Sequence, residues 1–428
     1  MIQTVKPVAT LKGTLQLPSD KSISHRSALF AAISSGESTI DNYSSAADPQ
    51  STLACLEQLG VKIKKNADTV QIQGVGRTGF KTPESPLDCG NSGTTMRLLS
   101  GIVAGAGVEC ELIGDESLSA RTMTRILDPL KKMGCSIEAR DGKYAPIKVG
   151  KHQGVKEIRF PLPIASAQLK SSVLLAGLFG EKPTEVIENT LSRDHTERLL
   201  DLKSEPYGEG KIIRSSRNDE IPEQTYRVPG DFSAASFWMV GAAIHQDAEI
   251  VLKGVGMNPS RTAALVILEE MGANIEVSNE KMEGKEPVAD LTISSSELSP
   301  INLDPKLIPN CIDELPILMV AMSFAKGIST ITGAEELRHK ETDRLSAMND
   351  ILISAGVNVE LESDGMTIHG DPDFIPEGAE FTTYHDHRMA MASAILASAS
   401  LENSTVKDAE CTAISYPEFW SDLAELSV

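Results

Sequence analysis

The residues best suited to chemistry in this sequence are Lys and Arg side chains at the starts of predicted helices. The segment from Lys21 to Arg26 reads KSISHR and places one cation before, and another one turn inside, the same helix. Cations at a helix N-terminus oppose the macrodipole, so an ordinary surface helix gains nothing from them. Phosphate and carboxylate, by contrast, bind the unpaired N–H groups of that end. The pattern therefore favours an anion-binding site.

A second segment brings two cations and an acid close together. Residues 335–344 read EELRHKETDR and place Lys340, Glu341 and Arg344 within about one and a half helical turns. Such a group can hold an anion while its neighbours tune the pKa of the acid, but it also fits a solvated helix with i,i+4 ion pairs. Asp313, inside the apolar segment IDELPILMV, is predicted to be either a general base or a helix N-cap.

Three further charged clusters would be ordinary solvated faces if each stood alone. Arg121 and Arg125 are four residues apart at the start of a predicted helix, and residues 193–198 read RDHTER. The segment HDHR at 385–388 resembles a metal cluster, but no second group of His or Cys completes a site. Substrate binding by Arg388 is the favoured interpretation.

The elements that position these residues follow an internal repeat. Six segments each contain a β-like run, an apolar helix, a second strand, a capped amphipathic helix and a further strand. The first helices open, in turn, at Ser19, Gly90, Ala165, Gly230, Ile312 and Asp386. The spacing of about 65 to 80 residues makes each copy a whole β/α unit. Three copies per domain around a pseudo-threefold axis would close two cores, with a boundary near Val228 to Asp231, and six polar helix starts could converge on one cleft.

Composition limits the function classes. The 428 residues suffice for two domains, and 41% hydrophobic with 23% charged residues is typical of a globular protein. The net charge of -20 disfavours nucleic acid and anionic lipid as partners. Neither a leader pattern nor an apolar run of bilayer length is present, which predicts a cytoplasmic protein with six reduced cysteines. The segment GVGRTG at 74–79 is followed by prolines instead of a helix, which excludes dinucleotide binding there.

Five motifs carry a resemblance to a known family. LPSDKSISHR, GNSGTTMRLL, SRDHTER, KETDR and DHRMAM occur in family order over essentially the whole chain, which resembles 5-enolpyruvylshikimate-3-phosphate synthases. The resemblance implies an α/β (α+β) fold of two inverse α/β domains, each of three βαβαββ-like repeats, joined by two crossover strands with the substrates in the cleft. We expect residues 1–14 with 231–428 in one domain and 15–230 in the other.

The resemblance also implies an activity and its residues. The enolpyruvyl group of phosphoenolpyruvate passes to the 5-hydroxyl of shikimate 3-phosphate by addition–elimination, in a cytoplasmic monomer that needs no metal or cofactor. Asp313, helped by Lys21, would deprotonate the hydroxyl, and Glu341 would protonate the methylene carbon. The residues implied for shikimate 3-phosphate are Lys21, Ser22, Arg26, Ser166, Ala167, Gln168, Arg193, Asp313 and Lys340. Those implied for phosphoenolpyruvate are Lys21, Asn91, Gly93, Arg121, Gln168, Glu341, Arg344 and Arg388.

Some positions depart from the better-known first class of the family. Glu336 stands where that class has Asn, Ile414 where it has Lys, and Thr122 where many members have Pro. Arg193 resembles the second, often glyphosate-tolerant class, whereas Gly93 is typical of sensitive enzymes. The resemblance to the second class is therefore carried by Arg193, and tolerance to glyphosate stays open.

Two other functions remain as alternatives. The related transferase that acts on UDP-N-acetylglucosamine uses a loop Cys shortly before its Arg and a Lys-Asn pair near the N-terminus, whereas here no Cys lies in 114–120 and Ser22 follows Lys21. The second alternative is a non-catalytic anion-binding repeat protein. In that case Asp313 and Glu341 would have no catalytic role.

Overall fold

The computed structural model describes all 428 residues, and the chain divides into two compact units. The continuous unit is Ser19–Val228, and the discontinuous unit combines Met1–Pro18 with Pro229–Val428. Each unit contains its own cluster of buried apolar side chains. No helix in the structure is both long and apolar enough to span a bilayer.

The chain starts with two strands of the discontinuous unit and then builds the continuous unit. The strands in this part of the chain are β1 (Ile2–Val5), β2 (Lys12–Gln16), β3 (Glu37–Asp41), β4 (Lys62–Asn66), β5 (Thr69–Gln73), β6 (Leu87–Asp88), β7 (Cys110–Ile113), β8 (Ser136–Arg140), β9 (Tyr144–Gly150), β10 (Arg159–Pro161), β11 (Thr184–Glu188), β12 (Ser204–Tyr207), β13 (Gly210–Ser215) and β14 (Thr225–Arg227). The helices are α1 (Lys21–Ile33), α2 (Ala47–Gln58), α3 (Gly93–Ala106), α4 (Glu116–Ala120), α5 (Thr124–Lys132), α6 (Ala167–Gly177) and α7 (His195–Leu200).

The rest of the chain completes the discontinuous unit. Its strands are β15 (Glu249–Gly256), β16 (Asn274–Glu283), β17 (Glu286–Ser294), β18 (Gly327–Ile331), β19 (Asn358–Leu361), β20 (Met366–Gly370), β21 (Glu380–Phe381) and β22 (Ser404–Lys407). Its helices are α8 (Phe232–Ile244), α9 (Ala263–Glu270), α10 (Ile308–Cys311), α11 (Leu315–Ser323), α12 (Arg344–Ser354), α13 (His387–Ser398) and α14 (Phe419–Leu426). Two 3-10 helices lie at Glu335–His339 and Ala409–Ile414.

Each unit contains three small sheets, all mixed except the antiparallel β18-β20-β19. The strand orders in the continuous unit are β14-β3-β5-β4, β6-β7-β9-β8 and β10-β11-β13-β12. Those in the discontinuous unit are β16-β17-β15-β2, β18-β20-β19 and β1-β22-β21. In the second, third and sixth copies a strand, the first helix and the next strand form a parallel β-α-β unit, as β6-α3-β7, β10-α6-β11 and β21-α13-β22. The predicted α/β class is confirmed.

Two strands pair away from the helix that follows them. β2 precedes α1 but pairs in parallel with β15, and β14 precedes α8 but pairs in parallel with β3. The first and fourth copies therefore exchange their opening strands. The chain passes from one unit to the other directly after each of these strands, at Pro18 and at Val228.

The first helices form the cores because they are apolar on nearly every side. All residues of α8 except Ile244 are buried, and α11 is buried throughout, as expected for helices surrounded by other elements. In the continuous unit α3 lies against α6 at very short range, since a Cβ atom added to Gly101 would stand 2.3 Å from the carbonyl oxygen of Ser172. Only glycine fits there. This contact fixes how the N-termini of α3 and α6 stand beside each other.

Candidate active site

Most of the predicted ligands lie in or next to the first turn of a first helix. Ser166 caps α6 by accepting a backbone N–H at 3.4 Å, and Ser92 caps α3 in the same way at 3.1 Å. In the discontinuous unit Asp386 caps α13 through the backbone N–H of Arg388 at 2.9 Å. A side-chain cap fixes the first helical turn. The ligand positions next to these caps are therefore held by local structure.

Lys21 and Arg26 lie on α1 and reach different neighbours. Lys21 Nζ is 3.0 Å from Asp48 Oδ2. The buried Arg26 donates from Nε to Thr196 Oγ1 at 2.9 Å and from Nη2 to Ser171 Oγ at 3.2 Å. Because Ser171 is on α6 and Thr196 is on α7, Arg26 connects the starts of three helices. Ser22, between the two cations in sequence, is half-buried.

Asn91, Gly93 and Arg121, which are predicted to bind the same substrate, lie next to one another. Arg121 Nη2 donates to Asn91 Oδ1 at 2.9 Å and to Ser117 Oγ at 3.1 Å. A Cβ atom added to Gly93 would lie 3.5 Å from Arg121 Nη1. The predicted helix start at Arg121 is wrong, because Arg121 has extended backbone after α4 while Arg125 belongs to α5. The loop between these two short helices therefore sets the direction of the Arg121 side chain.

Gln168 leads to a residue that the sequence analysis missed. Arg97, on α3, donates from Nη1 to Gln168 Oε1 at 2.7 Å, and Gln168 Nε2 donates to Thr94 Oγ1 at 3.0 Å. A Cβ atom on Gly93 would stand only 2.7 Å from Arg97 Nη1. Arg97 therefore joins the predicted phosphoenolpyruvate residues. Its signal was present in the sequence, since it lies one turn inside a helix start, as Arg26 does.

The loop that carries Arg193 lies next to a group of four charges, which we call the lysine network: Lys170, Glu188 and Glu197, which are buried, and Lys211, which is half-buried. Lys170 Nζ is 3.0 Å from both carboxylate oxygens of Glu188 and 2.8 Å from Glu197 Oε1. Lys211 Nζ is 3.0 Å from the same Glu197 oxygen. Ser166, Ala167 and Arg193 are half-buried beside it. None of the four network residues was predicted.

In the discontinuous unit the predicted catalytic residues Asp313 and Glu341 both contact Arg344. Asp313 Oδ1 lies 3.2 Å from Lys340 Nζ and 3.2 Å from Arg344 Nη1. Arg344 Nη2 also donates to Glu341 Oε2 at 2.6 Å. Arg344 is almost fully buried and is held from its Nε side by Asp386 Oδ2 at 2.8 Å. Burial alone would lower the pKa of Arg344, but the carboxylates of Asp386, Glu341 and Asp313 raise it above its ordinary value.

The segment 335–344 is not one helix, so the interpretation as a continuous i,i+4 paired helix is wrong. A 3-10 helix ends at His339, Lys340 has extended backbone, and α12 begins at Arg344. The break lets Lys340 and Arg344 approach Asp313 together. Asp313 itself lies between α10 and α11 and caps neither helix through its side chain.

Arg388 belongs to a second buried contact group of the same unit. Its Nη1 donates to the carbonyl oxygen of Asp313 at 2.7 Å and to Ser233 Oγ at 2.5 Å, and it lies 3.7 Å from Glu314 Oε1. Glu314 is fully buried and also contacts Arg261 Nη1 at 3.2 Å. Burial lowers the pKa of Arg388, while the nearby Asp313 and Glu314 charges oppose that shift. We call Arg261, Arg344 and Arg388 with Asp313, Glu314, Glu341 and Asp386 the arginine network.

Contacts of the predicted residues connect several elements within each unit. In the continuous unit the contacts of Arg26, Gln168 and Arg121 connect α1, α3, α6 and the loop after α4. In the discontinuous unit, Asp313 touches Lys340, Arg344 and Arg388. No group of three or more His, Cys, Asp or Glu side chains is arranged to hold a metal ion. The cationic sets are suited to small anions with several charged groups.

Comparisons with known proteins match essentially the whole chain to one enzyme family. The family model for EPSP synthase (3-phosphoshikimate 1-carboxyvinyltransferase) matches residues 5–423. The 3-phosphoshikimate 1-carboxyvinyltransferase of Salinibacter ruber is 48% identical over 432 residues, with 100% of both chains covered. The enzyme of the same name from a Roseiflexus species is 44% identical, covering 100% of this chain and 99% of the relative.

Solved structures agree with these sequence relatives. An EPSP synthase from Acinetobacter baumannii superposes with a TM-score of 0.87 at 38% identity, covering 100% of this chain and 98% of that chain. The enolpyruvyl transferase NikO from Streptomyces tendae, at 17% identity and a TM-score of 0.77, covers 99% of this chain and 97% of that chain and shares the fold. The chain belongs to the EPSP synthase family.

Proposed function

We infer that the chain transfers the enolpyruvyl group of phosphoenolpyruvate to the 5-hydroxyl of shikimate 3-phosphate, with release of phosphate, in aromatic amino acid biosynthesis. The full-length family match is the observation that carries this inference. Relatives named for this activity cover the chain from end to end. Neither the UDP-N-acetylglucosamine transferase nor a non-catalytic protein is favoured by these matches. The residue roles that follow are proposals supported by geometry.

Shikimate 3-phosphate would be bound through its phosphate and through its ring hydroxyls. The start of α6, at Ser166, Ala167 and Gln168, offers backbone N–H groups and a positive helix end to the phosphate. Arg193 would add a charge-assisted contact. The remaining proposed contacts are Lys21, Ser22 and Arg26 on α1 and Asp313 and Lys340 for the hydroxyls.

Phosphoenolpyruvate would be bound through its carboxylate and its phosphate. Arg344 and Arg388 suit the carboxylate because a planar guanidinium pairs with it through two parallel hydrogen bonds. The proposed phosphate contacts are Lys21, Asn91, Gly93, Arg121 and Gln168, with Arg97 added from its contact with Gln168. Glu341 would face the methylene carbon.

The chemistry requires one group that removes a proton and one that delivers a proton. Asp313, assisted by Lys21, would take the proton of the 5-hydroxyl as its oxygen bonds to C2 of phosphoenolpyruvate, while Glu341 gives a proton to C3. The proton lost from the adduct's new methyl group then returns to a base as the C–O bond to phosphate breaks. Arg344 holds Glu341 at 2.6 Å and contacts Asp313, so one guanidinium orients both carboxylates.

The decisive experiment is phosphate release from phosphoenolpyruvate. We expect steady release when shikimate 3-phosphate is present and none when UDP-N-acetylglucosamine replaces it. Equal release with both acceptors, or none with shikimate 3-phosphate, would overturn the proposal. An Asp313→Ala variant that binds shikimate 3-phosphate without turning it over separates an enzyme from a binding protein.

The class of the enzyme, its oligomeric state, its location, its partners and its repeats are further parts of the proposal. We propose that the chain is of the second, often glyphosate-tolerant class because of Arg193, and turnover retained at a glyphosate concentration that stops a sensitive enzyme would support this.

We propose a monomer, for which light scattering should give 45.9 kDa. A cytoplasmic location agrees with six free cysteines, and the net charge of -20 argues against nucleic-acid or membrane partners. Each compact unit would correspond to three repeats.

A further inference from the structure

The lysine network contains four full charges, three of them buried and Lys211 half-buried, that the reaction as proposed does not use. Lys170 and Glu188 have no solvent exposure, and Glu197 is 6% exposed. Lys211 reaches Glu197 at 3.0 Å and Glu188 at 3.8 Å. Two Lys and two Glu side chains make the group formally neutral. The group lies wholly within the continuous unit.

Burying such a group adds little to the stability of a fold. The cost of removing ions from water largely cancels their attraction, and apolar residues in their place are often neutral or stabilising. Burial would raise the pKa of Glu197, yet the Lys170 and Lys211 charges hold it below its ordinary value. Burial alone would lower the pKa of Lys211, but the charge of Glu197 raises it above its ordinary value. The charges of Glu197 and Lys211 therefore persist at neutral pH, and the contribution of the group must be sought in the geometry that it imposes.

The network fixes the residue that precedes Arg193. Ser192 is buried, and its backbone N–H donates to Glu188 Oε1 at 2.9 Å while its hydroxyl donates to the same oxygen. The carbonyl oxygen of Ser192 accepts from Lys170 Nζ at 3.4 Å. Both backbone polar groups of Ser192 are thus bound to the network, in a loop whose residues 189–191 are exposed.

The same network is attached to the start of α6. Lys170 lies two residues after Gln168, and the next residue, Ser171, shares a 2.7 Å hydrogen bond with Thr196 on α7. Glu197, directly after Thr196, contacts Lys170. Two neighbouring pairs of side chains therefore join α6 to α7 at a fixed separation.

We propose that Lys170 and Glu188 are positioning residues that set the distance between Arg193 and the N-terminus of α6, where the phosphate of shikimate 3-phosphate binds. This inference rests on the proposed function. A phosphate held by helix N–H groups on one side and by a guanidinium on the other binds well at only one separation. Displacement of a binding group by about 1 Å can cost on the order of a hundredfold in rate.

The primary test is the variant Lys170→Met with Glu188→Gln, which removes one positive and one negative charge and leaves the Lys211–Glu197 pair. We expect the KM for shikimate 3-phosphate to rise at least about tenfold, with the KM for phosphoenolpyruvate and the melting temperature near those of the parent chain. Equal changes in both KM values, or an unchanged KM for shikimate 3-phosphate, would overturn the inference. Glu157→Gln, which removes an exposed 3.0 Å contact with Lys182 in the same unit, is the matched control and should change neither.

A double-mutant cycle with Arg193→Ala tests whether the network acts through Arg193. In the Arg193→Ala background, adding Lys170→Met with Glu188→Gln should raise the KM for shikimate 3-phosphate by less than about twofold further. The reason is that the effects of substitutions at interacting residues do not add. A full tenfold effect in that background would contradict the inference. If the paired variant does not fold, Ser192→Ala should raise the same KM by a smaller factor, and no rise would be equally contradictory. Failure of the proposed function would appear instead as no turnover by the parent chain.

Discussion

The two units use buried ions at different distances from the proposed chemistry. In the arginine network the proposed ligands Arg344 and Arg388 are themselves members, and each contacts buried acids. In the lysine network no member is a proposed ligand, and the closest, Lys170, lies two residues from Gln168. The difference teaches that the proposed ligands Arg344 and Arg388 are held by direct contacts with buried acids, whereas the lysine network reaches the proposed ligand Arg193 through the backbone of Ser192.

This difference follows from the type of cation and its reach. An Arg guanidinium offers five N–H donors in a plane, so Arg344 can hold Asp313, Glu341 and Asp386 at once. A Lys ammonium offers three donors from a single atom, and Lys170 uses that atom to bring two Glu side chains and a carbonyl oxygen together. The first arrangement would present charge to a substrate, and the second holds a loop against a helix.

The largest effect is expected from a change at Asp313, the member of the arginine network that is proposed to deprotonate the 5-hydroxyl of shikimate 3-phosphate. Asp313→Asn keeps the size of the side chain but removes the proposed base, so kcat should fall by about 10²- to 10⁴-fold. Binding of shikimate 3-phosphate, measured by calorimetry, should change little. Arg344 would retain its contacts with Glu341 and Asp386.

Normal turnover by Asp313→Asn would contradict the assignment of the base. Asp304→Asn is a suitable control because Asp304 is an exposed acid of the same unit. That variant should match the parent chain in kcat.

A stability effect is expected where the arginine network is most deeply buried. Glu314→Gln leaves Arg261 and Arg388 facing a neutral amide, and an uncompensated buried charge costs about 3 to 5 kcal/mol. The free energy of unfolding, measured in urea, should fall by that order. The exposed acid Glu335 provides the control Glu335→Gln, which should change it by less than about 0.5 kcal/mol. Equal stability of the two variants would show that Glu314 does not compensate these arginines.

The local parts of this comparison could be predicted from sequence. Helix caps and apolar runs predicted the six first helices, and cations close to a helix start predicted Lys21 and Arg26 as candidate anion ligands. These features depend on residues within one turn of each other, so a linear pattern records them. The full-length motifs then supplied the fold class, which the structure confirms.

The partners of the buried charges could not be predicted in the same way. Lys170 lies 18 residues from Glu188 and 27 from Glu197, and on its own it looks like an ordinary polar residue of an apolar helix. The pairing of Arg261 with Glu314 spans 53 residues. The break at Lys340 is likewise invisible locally, because the extended backbone there is stabilised by a contact with Asp313, 27 residues away. Tertiary packing decides each of these features.

The lysine network predicts an acid dependence of stability through Glu197. The folded-state pKa of Glu197 is depressed, so its stabilising contribution is present above its unfolded pKa of about 4.3 and is lost as pH falls through the lower folded value. In Glu197→Gln the free energy of unfolding should therefore fall less steeply between about pH 5 and pH 3. Urea titrations at several pH values measure the slope. An unchanged slope would mean that Glu197 does not titrate with folding.

The smallest effect is expected from a surface ion pair of the same length as one inside the lysine network. Lys182 and Glu157 lie 3.0 Å apart, as do Lys170 and Glu188, but their side chains are 73% and 48% exposed. Water and salt screen such a pair, so Lys182→Met should change the free energy of unfolding by no more than about 1 kcal/mol. Lys170→Met alone should cost about 3 to 5 kcal/mol, since it leaves buried Glu188 without its closest cation. Urea unfolding of the two variants at one ionic strength gives both values, and similar losses would mean that burial does not distinguish these contacts.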